Sequence, residues 1–265
     1  MLRMKKFPIL VLGVYAGYAF SAPPLSQEQI REQNKAYLKK MGIEMLDGEV
    51  RIIDAKTLKS QANDEFYATR IKQYLSMHKE QEKNGFVNAP SPRAKELLEF
   101  SKTADFQYEK YKNELSPSST HIRHTIAELK MAYTFVGVPA SVTDKTIGFA
   151  PYGAYKQTKY GDDGDGWDGA IQFFQKKDVG TCEFKEHNMK LAHGGVELIK
   201  ELVSEDIAGK PTIVLVKGNE QTGFTYQINW YDNTYSRELT CAATSYQPST
   251  KDKVISLAKL IESSQ

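Results

Sequence analysis

Cysteine, tryptophan and histidine are scarce in this chain, with two, two and five in 265 residues, and each shortage narrows the chemistry. The two cysteines, Cys182 and Cys241, form no C-x-x-C pair, which argues against a structural metal site. The histidines, His78, His121, His124, His187 and His193, stand in no motif that would pair a nucleophile with a base and an orienting group. No phosphate-cradling glycine loop follows a strand and opens a helix, because Gly194 and Gly195 fall inside an expected helix. Charge of neither sign dominates: the formal net charge is +2. Nucleic-acid binding, which needs a concentrated basic face, is therefore not expected. After the first 21 residues no stretch is long and apolar enough to cross a membrane.

The first 21 residues read as a signal peptide. Arg3, Lys5 and Lys6 form a short positive segment, residues 7–20 are apolar, and Ala19 and Ser21 fit the small-x-small cleavage rule. Cleavage after Ser21 removes three basic residues and leaves 32 basic against 33 acidic residues, a net charge of −1. No cysteine follows the cut, so a lipid anchor is not expected. Export places Cys182 and Cys241 in an oxidising compartment, where a disulfide between them is expected in preference to free buried thiols. Closing a loop of that length stabilises by about 4 kcal/mol in the chain-entropy model.

Residues 22–137 read as a helical region. Ser26 and Gln29 resemble a capping box for a first helix that ends at Gly42. Val50, Ile52 and Ile53 form a short apolar piece, and Asp54 caps a long helix in which Leu58, Ala62, Phe66, Ile71, Tyr74 and Met77 recur until Asn84. Ser91 and Pro92 start another helix along Leu97, Leu98, Ala104, Tyr108, Tyr111 and Leu115. A last one is predicted through Ile122, Ile126, Leu129, Tyr133 and Val136, closed by Gly137 and Pro139. On that helix His121, His124 and Glu128 share a side and could offer zinc ligands. Their side lies about 120° from the apolar stripe at helical spacing, which favours a solvated polar face.

Residues 138–265 read as a disulfide-closed α+β domain. Strands are expected over 146–150, 170–176 and 181–186, then a helix capped by Asn188 along Met189, Ala192, Val196, Ile199 and Val203. Gly194 and Gly195 inside that helix cost about 2 kcal/mol relative to alanines, which signals close approach to the sheet or a break. Strands over 212–217, 224–231 and 234–242 follow, the last two joined by a two-residue turn at Asp232-Asn233. That turn would set Trp230 opposite Tyr235, Ile228 opposite Arg237, Tyr226 opposite Leu239 and Phe224 opposite Cys241. It puts Arg237 where it can stack on Trp230 or Tyr235. Ser249 and Asp252 resemble a capping box for a final helix whose apolar face is Val254, Leu257, Ala258 and Ile261.

The order βββαβββα, an antiparallel sheet behind an N-terminal helical region, resembles the α/β/α sandwiches of the PsbP and Mog1 type at the level of topology. No sequence motif accompanies the resemblance, and such folds carry many functions.

Chemistry concentrates in the loop over 152–169. Asp162, Asp163, Asp165 and Asp168 offer hard oxygen ligands and the neighbouring glycines free the backbone, a pattern that suits calcium. The spacing is not that of an EF-hand, because Trp167 and Asp168 occupy positions for a ligand and a glycine, and no glutamate closes the loop. Tyr152, Tyr155, Tyr160 and Trp167 could instead present an aromatic surface to a glycan or a protein. An ordinary Asp/Gly turn accounts for the same residues. The preferred reading is an exported, non-enzymatic interaction or assembly protein of the cell envelope. Its partner would be another envelope or secreted protein, and no cofactor is implied unless the loop holds calcium. The alternative is an exported hydrolase, with His187 or His193 paired to a distant serine or carboxylate, or a calcium- or glycan-binding protein using the loop.

Overall fold

A computed structural model of the 265-residue chain describes residues 27–40, 48–61, 65–158 and 164–265. The segment read as a signal peptide lies outside the described residues, as do Tyr160, Asp162 and Asp163 of the acidic loop. The N-terminal half holds α1 (Gln27–Lys40), β1 (Val50–Ile53), α2 (Ala55–Gln61), α3 (Glu65–Asn84), β2 (Val87–Asn88) and α4 (Pro92–Tyr111). The C-terminal half holds β3 (Lys145–Lys156), β4 (Gly166–Lys176), β5 (Gly180–Asn188), β6 (Val196–Ile199), β7 (Glu205–Ile207), β8 (Lys210–Asn219), β9 (Gly223–Tyr231), β10 (Tyr235–Ala243) and α5 (Pro248–Glu262).

The main sheet runs β2-β8-β9-β10-β5-β4-β3, with β7 also on β8, and a separate ribbon pairs β1 with β6. The chain is α+β and the sheet is mixed, since β2 lies parallel to β8 while the long strands are antiparallel. Two meanders, β3-β4-β5 and β8-β9-β10, therefore meet at a single non-sequential junction between β5 and β10. That junction is where Cys182 bonds to Cys241, two cysteines 59 residues apart in sequence and directly opposed in register. The Met189 N–H donates to Thr234 O at 2.8 Å. Alternation along the ladder from that bond makes Cys182–Cys241 a non-hydrogen-bonded pair, the kind whose side chains stand closest. The disulfide staples the two meanders near the end of their shared ladder where the paired residues are farthest apart in sequence.

Neighbouring strand residues point to opposite faces, and each face has its own core. Phe174, Cys182, Phe184, Tyr226, Ile228, Leu239 and Cys241 pack against Val254, Leu257, Ala258 and Ile261 of α5. Phe173 and Ala242, each one residue along, join Ile147 under Ala94, Leu97 and Ala104 of α4. A helix covers each face, giving an α/β/α layering, and each fully buried large apolar side chain contributes about 1.5–3 kcal/mol. Arg93, in the first turn of α4, clamps the buried Glu183 of β5 with two nitrogens. Ser91, the N-cap of α4, turns its hydroxyl away from the helix to Thr225 on β9, at 3.1 Å. The apolar face expected for α5 is buried as read, although the helix starts at Pro248, with Gln247 as its N-cap, in place of the Ser249–Asp252 box.

Two expected helices are not formed, and the βββαβββα order fails with them. From Lys112 to Asp144 the chain is an irregular strap with one 3₁₀ turn, Ile126–Glu128. Ile122 packs in the α4-side core and Leu129 in the α5-side core, while Arg123 bridges Phe149 at the outer edge of β3. The strap thus wraps the sheet edge from one face to the other. Its apolar residues recur at helical spacing but serve two surfaces. Side chains replace the helical hydrogen bonds: the Arg123 guanidinium donates to the carbonyls of Ser116, Ser119 and His121, and the Gln172 amide exchanges bonds with the backbone of Val138 at 2.7 and 3.2 Å.

The second missing helix stops after one turn. Asn188 Oδ1 accepts the Leu191 N–H at 2.9 Å, but His193 sits at φ 52 and Gly194 and Gly195 release the chain into β6. The glycine penalty resolves as a break. The long helix read from Asp54 to Asn84 is described as α2 and α3, with residues 62–64 outside the described set. The β9–β10 register is displaced by two residues, so that Arg237 faces Trp230 and Cys241 faces Tyr226. The cause is Asp232, whose carboxylate accepts the N–H groups of both Thr234 and Tyr235 and opens a longer turn. A shift of two preserves the face, and Arg237 still stacks on Tyr235 at 4.7 Å.

Candidate functional site

The sheet face under α4 is covered only in part. Beyond the α4 core, half-buried side chains stand side by side: Ser236 and Glu238 from β10, Lys185 and His187 from β5, and the exposed Tyr152 from β3. At strand spacing this floor spans roughly 14 Å across the strands. Lys185 bonds Glu238 at 3.1 Å and lies 5.2 Å from the Tyr152 ring centroid, and His187 meets that ring edge-on at 5.5 Å.

At the rim of this floor two residues that the sequence left apart come together. His187 Nε2 lies 3.3 Å from Asp168 Oδ1, and Asp168 is only 1% exposed. Asp168 also accepts the Ala154 N–H at 2.8 Å and pairs with Lys156 at 3.6 Å. Burial pushes its carboxyl up, but the His187 hydrogen bond, the Ala154 N–H and the neighbouring positive charge outweigh burial and hold it below the ordinary carboxylate range. Gly153 makes this geometry possible, since a Cβ there would stand 2.0 Å from Asp168 Oδ1. The sequence signal was present only as a glycine beside a β-bulge in β3.

The other residues singled out in the sequence do not converge. Asp165 is exposed and pairs with Lys130, away from Asp168. Trp167 is 6% exposed, with its indole N–H donating to Pro117 O at 3.0 Å and Tyr155 packed edge-on against it. Of the four aromatic residues proposed as a surface, Tyr152 is presented outward, Trp167 is structural, Tyr155 packs on Trp167, and Tyr160 lies outside the described residues. Among the described residues no group of three His, Cys, Asp or Glu side chains is placed to hold a metal, and Asp162 and Asp163 fall outside that set. Without the helix, His121, His124 and Glu128 share no side: His121 stacks on Tyr111, His124 packs edge-on against Tyr108, and Glu128 closes a capping box with Thr125.

Both sheet edges are shut. On β8, β7 pairs with residues 210–212 and β2 with 217–218, and between them Gln81 of α3 acts as a substitute strand. Its amide donates to Val214 O at 2.9 Å and accepts the Val216 N–H at 2.6 Å. On β3, Arg123 pairs with Phe149 and the bulge between Tyr152 and Tyr155 distorts the remainder.

No family model, no curated protein and no solved structure matches the chain.

Proposed function

We propose that this is an exported, non-enzymatic interaction protein that binds an envelope or secreted protein across the open floor of its sheet. The observation that carries the reading is that floor: a row of polar and aromatic side chains on a disulfide-stapled sheet whose edges are closed. Strand addition needs a free edge, so recognition falls to side chains. Lys185, Glu238, Ser236, His187 and Tyr152 offer both signs of charge, hydroxyls and a ring within the length of about four extended residues. The disulfide and the lack, among the described residues, of a helix long and apolar enough to cross a membrane are in keeping with this reading.

The second reading, an exported hydrolase, draws on the His187–Asp168 pair, with Ser236 as the cross-strand neighbour of His187. One experiment separates the two. Affinity capture of the mature chain, tagged at Gln265, is run from native envelope and culture fluid beside the floor variant Lys185→Glu/Ser236→Arg and beside His187→Ala. A partner lost with the floor variant, weakened in His187→Ala and captured by the unaltered chain without hydrolytic activity supports binding alone. Recovery of the same proteins with all three chains overturns the floor as the surface. A hydrolytic activity abolished by His187→Ala in a folded protein overturns the non-enzymatic reading.

A further inference from the structure

A cavity of about 360 Å³ lies between α3, β6 and the β8–β9 end of the sheet. Its volume falls within the range of ligand pockets, about 300–1,000 Å³. The walls differ in chemistry. Met77 from α3 and Leu198 from β6 line it on one side, and the sheet lines the other, apolar at Ile213 and Leu215 of β8 and polar on the neighbouring strand at Gln227, Asn229 and Tyr231 of β9.

The polar wall is built of neutral groups. Gln227 Nε2 donates to Asn229 Oδ1 at 3.4 Å, a contact that uses one of the several donors and acceptors the two amides bring. Burial, with the nearby Glu238 charge, pushes the Tyr231 hydroxyl up to about 12, so it stays a protonated donor at neutral pH. The ionisable groups at the margin are Glu197, which is exposed, His78, which pairs with Glu82 at 3.4 Å, and Glu238, the cross-strand neighbour of Asn229, which pairs with Lys185 at 3.1 Å. An anionic head group would meet the Glu197 carboxylate and lose its hydration against an apolar wall, which is costly. A hydroxyl or ester head can accept from Tyr231 and the amides without that penalty.

We propose that this cavity binds a small neutral amphiphile, its alkyl or aromatic body against Met77, Leu198 and Leu215 and its uncharged polar head on Gln227, Asn229 and Tyr231. The site adjoins the floor assigned to the protein partner, with Asn229 and Tyr231 opposite Glu238 and Ser236 in register, but uses none of its residues.

The test is a fluorescence titration of the mature, disulfide-bonded chain with N-phenyl-1-naphthylamine, followed by displacement with 1-dodecanol or dodecanoate at pH 8. The expected result is saturable probe binding, displacement by dodecanol at concentrations at least tenfold lower than by dodecanoate, and a tenfold or greater loss of probe affinity in Met77→Trp, which fills the cavity from the half-exposed side of α3. Leu215→Trp should act alike. Asn229→Leu should keep probe binding and weaken dodecanol severalfold. Absence of saturable binding, probe affinity unchanged in a folded Met77→Trp, or equal displacement by alcohol and carboxylate would each overturn the proposal.

Discussion

Under α5, Arg237 is 5% exposed and is surrounded by Glu186 at 2.7 Å, Asp232 at 3.0 Å and Glu262 at 3.3 Å. Across the same sheet, Lys185 and Glu238 form an equally close pair at 3.1 Å, but with about a fifth of each side chain in solvent. Trp230 extends the covered cluster by donating its indole N–H to Glu262 at 2.7 Å, and Lys210 pairs with the same carboxylate. The comparison shows how one sheet uses charge in two ways. Beneath a helix, ions must be fully satisfied and so hold α5 in register. On the open floor they stay partly in solvent, as the proposed partner surface requires.

Breaking the pairs should separate the faces sharply. Arg237→Ala leaves Glu186 buried without its cation and is expected to destabilise the fold by about 3–5 kcal/mol, whereas Lys185→Ala should change stability by about 1 kcal/mol or less. Urea unfolding of both variants checks the difference, and equal effects would erase the distinction. The covered face also holds the disulfide, and replacing both cysteines with alanine should lower stability by about 4 kcal/mol. The β5–β10 amides should then lose more hydrogen-exchange protection than the hairpin amides within either meander.

A smaller effect tests the closed edge. Gln81→Ala strips two hydrogen bonds from β8 and should cost about 1–3 kcal/mol, with a rise in self-association measured by light scattering as Val214 and Val216 become available to another chain.

The smallest effect is in pH dependence, and its sign differs between the faces. Asp168, held below its ordinary range mainly by His187 against the pull of burial, contributes stability that is complete above about pH 3.9 and is lost as pH falls through the lower folded value. Glu186 is shifted the other way, because burial outweighs the attraction of Arg237. It contributes stability at acidic pH that declines as pH rises from its ordinary value, about 4.3, toward the raised one. Thermal melts of Asp168→Asn should show a shallower acid limb and those of Glu186→Gln a flatter mildly acidic region. Superimposable profiles would contradict both assignments.

Much of this architecture is legible in the sequence because period-two patterning is local. Tyr226, Ile228 and Trp230 alternate with Gln227 and Asn229, so the strand, its buried face and even its polar wall can be read directly. The cysteine pairing follows from composition and the expected compartment, although its place at the junction of two meanders needs the fold. The strap over 112–144 defeats the same method, because Ile122 and Leu129 satisfy a helical period while packing on opposite sides of a sheet edge. The helix predicted after Asn188 fails where local glycine cost outweighs an apolar repeat. Asp168 was visible as an acidic loop residue and His187 as a lone histidine at a strand end. Their meeting depends on the β4–β5 register and on space at Gly153, neither of which a single sequence displays.

The most direct test of the proposed recognition on the open floor is photocross-linking in the cells that produce the chain. Benzoylphenylalanine replaces Ser236 on the floor in one chain and Lys259, on the outer side of α5, in another. A stoichiometric protein adduct from position 236 and none from 259 is the outcome the account predicts. Equal adducts from both positions, or an adduct from 259 alone, would contradict it.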